Sequence, residues 1–151
     1  IPFIIGGHVP QYENIGGRSN QPINHVDIAP TTLGLCGIDP PQWMMGTDYS
    51  GVRVHSRQVV NEPDSAFLQL PSSPGYPDCA THPWRGVTTT DGWKYTVTEG
   101  GPWGLYNLNE DPFEQINGAL SGKYRAEKKR LHDRLSGWIA DTNDPFRTPE
   151  L

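Results

Sequence analysis

Residues 84–98 read Trp-Arg-Gly-Val-Thr-Thr-Thr-Asp-Gly-Trp-Lys-Tyr-Thr-Val-Thr, and this stretch decides the fold. Two β-rich runs meet at the Asp-Gly dipeptide at 91–92, which favours the positive φ angles of a type I′ hairpin turn. In the second run, the apolar residues Trp93, Tyr95 and Val97 alternate with polar residues, as in a strand with one buried face. The stretch therefore predicts a β-hairpin with one apolar side.

The segments on either side extend this hairpin into a sheet. A second turn is predicted at the Gly-Gly-Pro sequence of residues 100–102, and a third strand follows over residues 104–108. Pro112 then ends the strand, because proline has no N–H to donate to a ladder. Upstream, residues 65–70 (Ser-Ala-Phe-Leu-Gln-Leu) have the composition of a further strand. The sequence therefore predicts an antiparallel sheet of about four strands.

Residues 123–141 carry the clearest helical pattern in the chain. Four large apolar residues recur at spacings of seven, four and three: Tyr124, Leu131, Leu135 and Trp138. These spacings place all four on one face of a helix. Pro145 follows the predicted end, and the tail to Leu151 is predicted to be extended. The predicted fold class is α+β, with the small antiparallel sheet packed on a long C-terminal helix.

Composition limits the class of protein. The chain has 151 residues, of which 34% are hydrophobic and 10% aromatic, which suits one domain or two small units. The net charge of −5 and the lack of a basic stripe argue against nucleic acid or an anionic membrane surface as a partner. No apolar run approaches the ~20 residues that cross a bilayer. No compartment can be assigned from these features.

The N-terminal third has a different pattern. Residues 1–7 begin with an unbroken apolar run, Ile-Pro-Phe-Ile-Ile, which is typical of a strand buried on both faces in a parallel sheet. A helix is predicted after Asp27, which would be its N-cap, with Pro30 in the first turn and Gly37 just past the end. Cys36 is predicted to be a small buried hydrophobe on this helix.

Few residues suggest chemistry by themselves. His8 follows the predicted strand, and strand ends in open α/β sheets face the ligand crevice, so His8 is a candidate pocket residue, with a plain loop histidine as the alternative. Asp27 has a catalytic or metal-binding interpretation, but its capping position explains it better. Cys79 and His82 share a proline-rich loop without an identifiable third group, so a nucleophile there is disfavoured. A disulfide between Cys36 and Cys79 stays open.

The stretch from Arg85 to Asn117 resembles the C-terminal subdomain of the type I sulfatases, in the alkaline-phosphatase-like superfamily. That family runs Arg-Gly-Val-Arg-Thr, a turn, Tyr-Lys-Tyr, and then Leu-Tyr-Asp-Leu-x-x-Asp-Pro-x-Glu-x-x-Asn-Leu. The matching residues are Arg85, Gly86, Val87, Thr89, Lys94, Tyr95, Leu105, Tyr106, Leu108, Asp111, Pro112, Glu114 and Asn117. At three positions the chain departs from the family: Thr88 replaces Arg, Asn107 replaces Asp and Gly118 replaces Leu.

A second resemblance covers the N-terminal third. The Ile-Pro-Phe-Ile-Ile run is similar to a strand of the large sulfatase catalytic sheet, and residues 25–38 are similar to the family's His/Leu-Val-Asp-Ile-Ala-Pro-Thr-Leu-Leu-x-Leu-x-Gly-Ile helix. The resemblance spans nearly the whole chain and implies a C-terminal fragment of an alkaline-phosphatase-like α/β enzyme. It assigns residues 1–60 to the last strand–helix piece of the catalytic domain and residues 61–151 to the C-terminal subdomain.

The resemblance implies an enzymatic activity for a longer parent enzyme, of which this chain would be one part. Type I sulfatases hydrolyse sulfate esters with a formylglycine made in a Cys/Ser-x-Pro-x-Arg motif and with a Ca²⁺ held by carboxylates. Neither Cys36 nor Cys79 stands in such a motif. No catalytic residue, metal ligand or cofactor is therefore assigned to this chain, which is predicted to be inactive alone. His8 and His25 are the predicted substrate-binding residues, with packing beneath the helix start as the alternative for His25.

The predicted partners follow from the same resemblance. They are the N-terminal catalytic part of the enzyme and a sulfated small molecule or glycan, with no nucleic acid and no membrane. Self-association through residues 1–7 is also predicted, because an apolar strand without neighbours has an unpaired edge. Two other classes stay open: part of a phosphoesterase or phosphonate monoester hydrolase of the same superfamily, and a non-catalytic carbohydrate-binding or interaction module with exposed tryptophans.

Overall fold

The computed structural model describes residues 3–8, 16, 19–72, 75 and 81–151. The chain divides into two compact units, Ile1–Asp64 and Ser65–Leu151, and each is described by itself. Within the described residues, no helix has the length and apolar character needed to cross a membrane. The assignment of residues 1–60 and 61–151 to two parts of a larger enzyme stays a prediction.

Residues 3–8, near the start of the first unit, form no regular secondary structure. The side chain of Ile4 is 83% exposed and that of Phe3 is 44% exposed. The predicted buried strand is therefore wrong for these residues, while Ile1 and Pro2 lie outside the described part of the chain. The physical reason is that no described strand pairs with the segment, so it has neither ladder hydrogen bonds nor cover on its faces.

The first helix, α1 (Ile28–Leu35), follows a short 3₁₀ turn, His25–Asp27. Asp27 is the N-cap residue of α1, as predicted, but its side chain makes no capping hydrogen bond to this helix. Asn24 is the N-cap of the 3₁₀ turn. Asn24 Oδ1 accepts a hydrogen bond from the N–H of His25, and Asp27 Oδ2 accepts one from the N–H of Asn24, both at 2.7 Å. The side chain of Asn24 also accepts from the N–H of Asp27, so Asn24 and Asp27 form a capping box around the 3₁₀ turn. The carboxylate of Asp27 therefore serves the turn before α1 rather than the first turn of α1 itself.

The end of α1 is as predicted. Gly37 has a φ of 75° and directly follows the cap residue Cys36. The N–H of Ile38 donates to the carbonyl of Leu33 at 3.0 Å, and the N–H of Gly37 donates to the carbonyl of Gly34 at 3.0 Å. These two bonds form a Schellman motif, whose left-handed residue is adopted without strain by glycine.

The buried face of α1 differs from the prediction. It consists of Pro30, Thr31 and Gly34, whereas Cys36 is exposed and is a free cysteine. A Cβ on Gly34 would clash with side chains of the following loop, the Asp48 carboxylate among them. The predicted burial of Cys36 is therefore wrong, because Cys36 is the C-cap residue beyond the buried face, and the loop after the helix packs on Thr31 and Gly34 instead.

The second unit contains a four-stranded antiparallel sheet in the order β1-β2-β3-β4. The strands are β1 (Ser65–Leu70), β2 (Trp84–Thr89), β3 (Trp93–Thr98) and β4 (Gly101–Asn107). Each strand pairs with the next one along the chain, so the sheet is a meander. The predicted α+β fold with a sheet of four strands is confirmed, as is the predicted strand at residues 65–70.

The β2–β3 turn is not of the predicted type I′. β2 ends at Thr89 and β3 begins at Trp93, which leaves a loop of three residues, 90–92, between the strands. The N–H of Gly92 donates to the carbonyl of Thr89 at 3.0 Å, and Gly92 has a φ of 86°. Asp91 has no positive φ. A three-residue hairpin loop uses a type I turn followed by one left-handed residue, so the strand register decided the turn type.

The β3–β4 connection contains a β-bulge. Val97 pairs with Pro102 and Thr96 pairs with Gly104, so Trp103 is an extra residue on β4. The strand therefore includes part of the predicted Gly-Gly-Pro turn. Pro102 is tolerated because β4 is an edge strand, where a missing N–H breaks no interior ladder.

The second helix, α2 (Arg125–Asp141), follows a 3₁₀ turn, Gly122–Tyr124. Leu131 and Leu135 are fully buried at the centre of the predicted stripe. The other stripe residues pack around them on the same core. The predicted C-terminal helix and its apolar face are therefore confirmed.

The core of the second unit lies between the sheet and α2. Its buried residues are Phe67, Val87, Tyr95, Val97, Leu105, Ala119, Leu131, Leu135 and Phe146. At its margin the Trp138 ring stacks on the Phe67 ring, with centroids 6.3 Å apart. The Nε1–H of Trp138 also donates to Ser65 Oγ at 2.9 Å. The helix is thus joined to β1 by both an aromatic contact and a hydrogen bond.

The tail after α2 returns to the core. Asn143 adopts a φ of 51°, and the N–H of Asp144 donates to the carbonyl of Ile139 at 3.0 Å, which closes the helix. Residues 144–151 belong to no helix or strand, and Phe146 is buried in the core. No periodic pattern predicts this contact, because a single apolar residue in a polar tail has no repeat.

Gly86 offers a direct test of the β2–β3 packing. A Cβ at this position would lie 2.7 Å from the carbonyl oxygen of Tyr95 and 2.8 Å from Thr96 Cγ2. Because that oxygen belongs to the neighbouring strand, we expect Gly86→Ala to lower the free energy of unfolding by about 1–3 kcal/mol. Gly122→Ala is the matched control, since no heavy atom lies within 4 Å of its Cβ. Equal urea-unfolding midpoints for the two variants would contradict the expected clash.

Candidate functional site

The two predicted substrate-binding histidines both lie in the first unit and are both exposed. His8 ends the irregular segment of residues 3–8. His25 is the first residue of the 3₁₀ turn before α1, and its N–H is held by Asn24. His25 does not pack beneath the helix start, so the packing alternative is wrong. Their role towards a substrate stays a prediction.

Arg53 is a candidate that sequence reasoning missed. Its side chain is half-buried, and its Nη2–H donates to the carbonyl of Gly7 at 2.6 Å. This bond places a guanidinium beside the backbone that leads into His8. A guanidinium presents several N–H donors in a fixed fork, which suits tetrahedral anions such as sulfate. No sequence pattern marks Arg53, because its contact with Gly7 spans 46 positions.

Asp27 serves the structure and not a metal. It is 5% exposed, and its two carboxylate oxygens accept different backbone N–H groups. Oδ2 accepts from Asn24 and Oδ1 accepts from Thr47, each at 2.7 Å. Asp27 thereby ties the start of α1 to the loop after it, and both of its oxygens are already in use.

Arg57 and Asp48 form an ion pair within the first unit. Arg57 Nη2 lies 3.1 Å from Asp48 Oδ2, and both side chains are mostly buried. Arg57 also reaches the exposed Asp39 at 3.0 Å. Burial alone would lower the pKa of Arg57, but these two carboxylates raise it, so its charge is fixed. The network stabilises the loop that packs on Gly34.

Most of the family-like residues of the second unit also serve the fold. Arg85 is 5% exposed and makes a two-bond ion pair with Asp144, at 2.7 Å from Nε to Oδ2 and 3.0 Å from Nη2 to Oδ1. Its Nη1 donates to the carbonyl of Leu70, and its guanidinium lies over the ring of Phe146. Arg85 therefore fixes the tail against the sheet.

The Asp-Pro-x-Glu-x-x-Asn segment holds the loop after β4. Lys94 Nζ lies 2.7 Å from Glu114 Oε2. Asp111 accepts from the N–H groups of Gln115 and Ile116, which lowers the pKa of its carboxyl. These contacts give a structural reason for each of the three charged residues.

Asn117 and Gly118 complete the same loop. Asn117 Oδ1 accepts from the N–H of Leu105 at 3.1 Å, and its Nδ2 donates to the carbonyl of Trp103 at 2.8 Å. A Cβ on Gly118 would lie 2.9 Å from Cδ2 of Tyr124. The departure from the family's Leu at this position is therefore explained by the Tyr124 ring, which fills the space.

Tyr95, which is buried, and His132, which is half-buried, form a polar pair that the sequence did not indicate. The Tyr95 hydroxyl lies 3.2 Å from Nδ1 of His132, inside the apolar contact between sheet and helix. Burial raises the pKa of Tyr95 and lowers the pKa of His132, so both groups are neutral near pH 7. A neutral pair at the edge of the core can share a hydrogen bond without burying a charge, which favours a structural role over a catalytic one.

No metal-binding geometry is found in the described part of the chain. Among those residues, no three His, Cys, Asp or Glu side chains converge on a common point. His82 is exposed and shares a hydrogen bond with Thr81. Cys79, the other residue of the disfavoured nucleophile pair, lies outside the described residues.

Exposed tryptophans are present in both units. Trp43 is 78% exposed, and Trp103 is 49% exposed on the bulge of β4. The rings of Trp103 and Trp84 lie 6.0 Å apart at an angle of 46°. These are the side chains on which the alternative of a carbohydrate-binding module depended.

Comparison with known proteins decides the family. The family model described as "N-sulphoglucosamine sulphohydrolase, C-terminal" matches residues 1–141 of this chain. The chain belongs to this family. The resemblance to the C-terminal portion of the type I sulfatases is thereby confirmed, and the second unit has the fold expected for it.

Two curated sulfatases align with almost the whole chain. The ulvan-active sulfatase of Formosa agariphila is 27% identical over 152 residues, which cover 98% of this chain. The uncharacterized sulfatase YidJ of Escherichia coli is 26% identical over 148 residues, again 98% of the chain. The chain spans 28% of the length of each of these relatives.

Solved structures show the same relation. The 2-O GAG sulfatase BT1596 superposes with a TM-score of 0.66 and 26% identity over 78% of this chain and 25% of that one. The phosphonate monoester hydrolase of Agrobacterium radiobacter superposes with a TM-score of 0.57 and 21% identity over 76% of this chain and 24% of that one. The second likeness concerns the fold alone.

Proposed function

We propose that this chain acts as the C-terminal part of a sulfatase, where it walls the active-site cleft and influences substrate choice without supplying the nucleophile. The match of residues 1–141 to the sulfatase C-terminal family carries this proposal. Sulfated glycans are the proposed substrates of the whole enzyme, since one relative is an ulvan-active sulfatase and one similar structure is a 2-O GAG sulfatase.

The described carboxylates do not fit a Ca²⁺ site. Asp27 and Asp48 accept hydrogen bonds from backbone N–H groups, and Asp144 is paired with Arg85. A metal would have to displace these bonds, which hold α1, its following loop and the tail. We therefore propose that the Ca²⁺ ligands and the formylglycine belong to the N-terminal part of the enzyme, and no step through them is assigned to this chain.

We further propose that His8 and His25 contact the substrate, with Arg53 beside His8. This can be tested in a hybrid enzyme, in which this chain replaces the aligned segment of the Formosa agariphila sulfatase. His8→Ala in the hybrid is expected to lower kcat/KM for an ulvan oligosaccharide by about tenfold or more, as for one lost hydrogen bond to a charged group.

His55→Ala is the matched control for that measurement, because His55 is an exposed histidine of the same unit. The thermal midpoint of the hybrid should stay unchanged in both variants. Equal kcat/KM values for the His8 and His55 variants would remove His8 from the substrate site.

The isolated 151-residue chain is expected to have no sulfatase activity. The reason is that neither cysteine lies in a Cys/Ser-x-Pro-x-Arg motif and no described cluster holds a metal. The measurement is turnover of a chromogenic aryl sulfate by the pure chain, with Ca²⁺ and with a chelator. Turnover that requires Ca²⁺ and follows the chain through purification would contradict the proposal.

A second candidate function is that the parent enzyme is a phosphonate monoester hydrolase. The likeness in fold to the Agrobacterium radiobacter enzyme supports this candidate. Sulfate and phosphate esters share a tetrahedral centre, so the residues of this chain do not distinguish them. The coding sequence upstream of Ile1 does: a Cys/Ser-x-Pro-x-Arg motif there would favour the sulfatase.

A further inference from the structure

Asn117 is followed directly by Gly118, and this is the only Asn-Gly dipeptide in the sequence. In such a dipeptide the backbone nitrogen of the glycine attacks the side-chain amide carbon of the asparagine, because glycine has no Cβ to hinder the approach. The attack closes a cyclic imide, a succinimide. The departure from the family's Leu at position 118 therefore places a site of spontaneous chemistry in the loop after β4.

The reaction consumes only water. In the first step the bond from Gly118 N to Asn117 Cγ forms, and the bond from Cγ to Nδ2 breaks. The glycine nitrogen gives up its proton, and the amide nitrogen leaves as ammonia. A water molecule then opens the ring at one of its two carbonyls. The product is an aspartate, or an isoaspartate in which the main chain runs through the former side-chain carbon.

The fold holds both reacting groups in place. Gly118 is buried, and its N–H donates to the carbonyl of Leu105 at 2.8 Å. Asn117 Oδ1 accepts from the N–H of Leu105 at 3.1 Å and from the N–H of Ala119 at 2.9 Å. Asn117 Nδ2 donates to the carbonyl of Trp103 at 2.8 Å. The proton that the glycine nitrogen must lose is thus held by β4, and the amide that it must attack is fixed on the same strand.

We propose that Asn117 is a deamidation site that the folded loop keeps closed, so that opening of this loop leads to an irreversible covalent change. The attack requires the bonds from Asn117 and Gly118 to β4 to break. Local opening of a loop costs less free energy than global unfolding, so the rest of the unit can stay folded. Water has access to the imide, because Asn117 itself is exposed.

The product cannot remake the native contacts. An aspartate has a carboxylate oxygen in place of Nδ2, so two acceptors would face each other where Asn117 now donates to Trp103. An isoaspartate adds a carbon atom to the main chain before Gly118, which displaces its N–H from the carbonyl of Leu105. Either product favours the open loop, and the reaction thereby makes the opening permanent.

The test follows deamidation of the full chain by peptide mapping and mass spectrometry at mildly alkaline pH, with and without urea. Asn117 should react at least about tenfold more slowly in the folded chain, because only the open fraction reacts. Equal rates in the folded and the urea-unfolded chain would overturn the protection. A change that maps mainly to another asparagine of the unfolded chain would overturn the site.

Asp111→Ala tests whether loop opening controls the rate. The Asp111 carboxylate accepts from the N–H groups of Gln115 and Ile116, directly before the site. Its loss should raise the rate in the folded chain about threefold or more and leave the rate in urea unchanged. Asp133→Ala is the matched control, because it removes a carboxylate that is 62% exposed on α2. Equal rates for the two folded variants would contradict control by opening.

If Asp111→Ala does not fold, stepwise urea below the unfolding midpoint of the parent chain varies the opening instead. The rate at Asn117 should then rise with urea, and a constant rate would overturn the proposal. Asn117→Asp stands in for the product and should lower the thermal midpoint by about 3 °C or more. Asn20→Asp adds the same charge at an exposed asparagine and should leave the midpoint unchanged. Equal midpoints for these two variants would contradict the lasting opening.

Discussion

Replacing Arg85 with alanine is expected to lower the free energy of unfolding of the second unit by about 3–5 kcal/mol. The side chains of Arg85 and Asp144 are only 6% and 7% exposed, so removing one leaves the other as a buried, unpaired charge. The same change removes the bond from Arg85 to the carbonyl of Leu70 and the contact with the ring of Phe146. Urea unfolding followed by circular dichroism measures the loss.

Two controls separate the buried charge from other effects. Lys129→Ala breaks an ion pair whose side chains are 71% and 62% exposed, and it should cost about 0.5 kcal/mol or less. The double variant Arg85→Met with Asp144→Leu removes both charges, so it should cost much less than Arg85→Ala. A single and a double variant of equal stability would show that lost packing, rather than an unpaired charge, explains the effect.

The same pair makes stability depend on pH. Burial alone would raise the pKa of Asp144, but hydrogen bonds from Arg85 and from the N–H of Phe146 outweigh it and hold the pKa below the usual value. A lowered folded pKa contributes stability above the unfolded value of about 3.9, and this contribution is lost as the pH falls through the folded pKa. The stability difference between the parent chain and Asp144→Asn should therefore shrink at acid pH.

Trp138→Ala is expected to lower the free energy of unfolding by about 3 kcal/mol, near the lower end for an aromatic truncation because the indole is half-buried. The change removes the stack on Phe67 and the hydrogen bond to Ser65 Oγ. It also removes the ring over which the guanidinium of Arg134 lies. Chemical unfolding monitored in the far ultraviolet gives the loss without depending on tryptophan fluorescence.

Trp43→Ala provides the comparison for this prediction. Trp43 is 78% exposed, so its truncation should change the stability of the chain by about 0.5 kcal/mol or less. A loss below about 1 kcal/mol for Trp138→Ala would mean that the helix stripe contributes little to the core. Similar losses for both tryptophans would mean that exposure in the folded chain does not predict their contributions.

The second unit was predictable because its signals are local and periodic. Alternation along β3 and the stripe along α2 place Tyr95, Val97, Leu131 and Leu135 in one core, and all four are buried there. The turn between β2 and β3 was located correctly, but its type depended on how the two strands pair. Register is a property of two segments, so a dipeptide alone does not determine it.

The candidate site was harder to predict. His8 and His25 were chosen from their positions beside predicted elements, and the strand expected before His8 does not form in residues 3–8. Arg53 was not found, because its contact is with a distant backbone carbonyl and not with a motif. Asp27 is the N-cap residue of α1, as predicted, but the hydrogen bonds of its carboxylate to Asn24 and Thr47 were not predictable from the local sequence.

The sequence by itself determined the sulfatase family, the four strands, and the C-terminal helix with its buried stripe. These features follow from motifs and from hydrophobic periodicity within single continuous segments. The tertiary structure decided which polar residues are bound to one another. Arg85 and Asp144 are 59 positions apart, and Asp27 and Thr47 are 20 apart. Such contacts form only when packing removes water and brings distant groups within hydrogen-bonding distance, and no local pattern records that event.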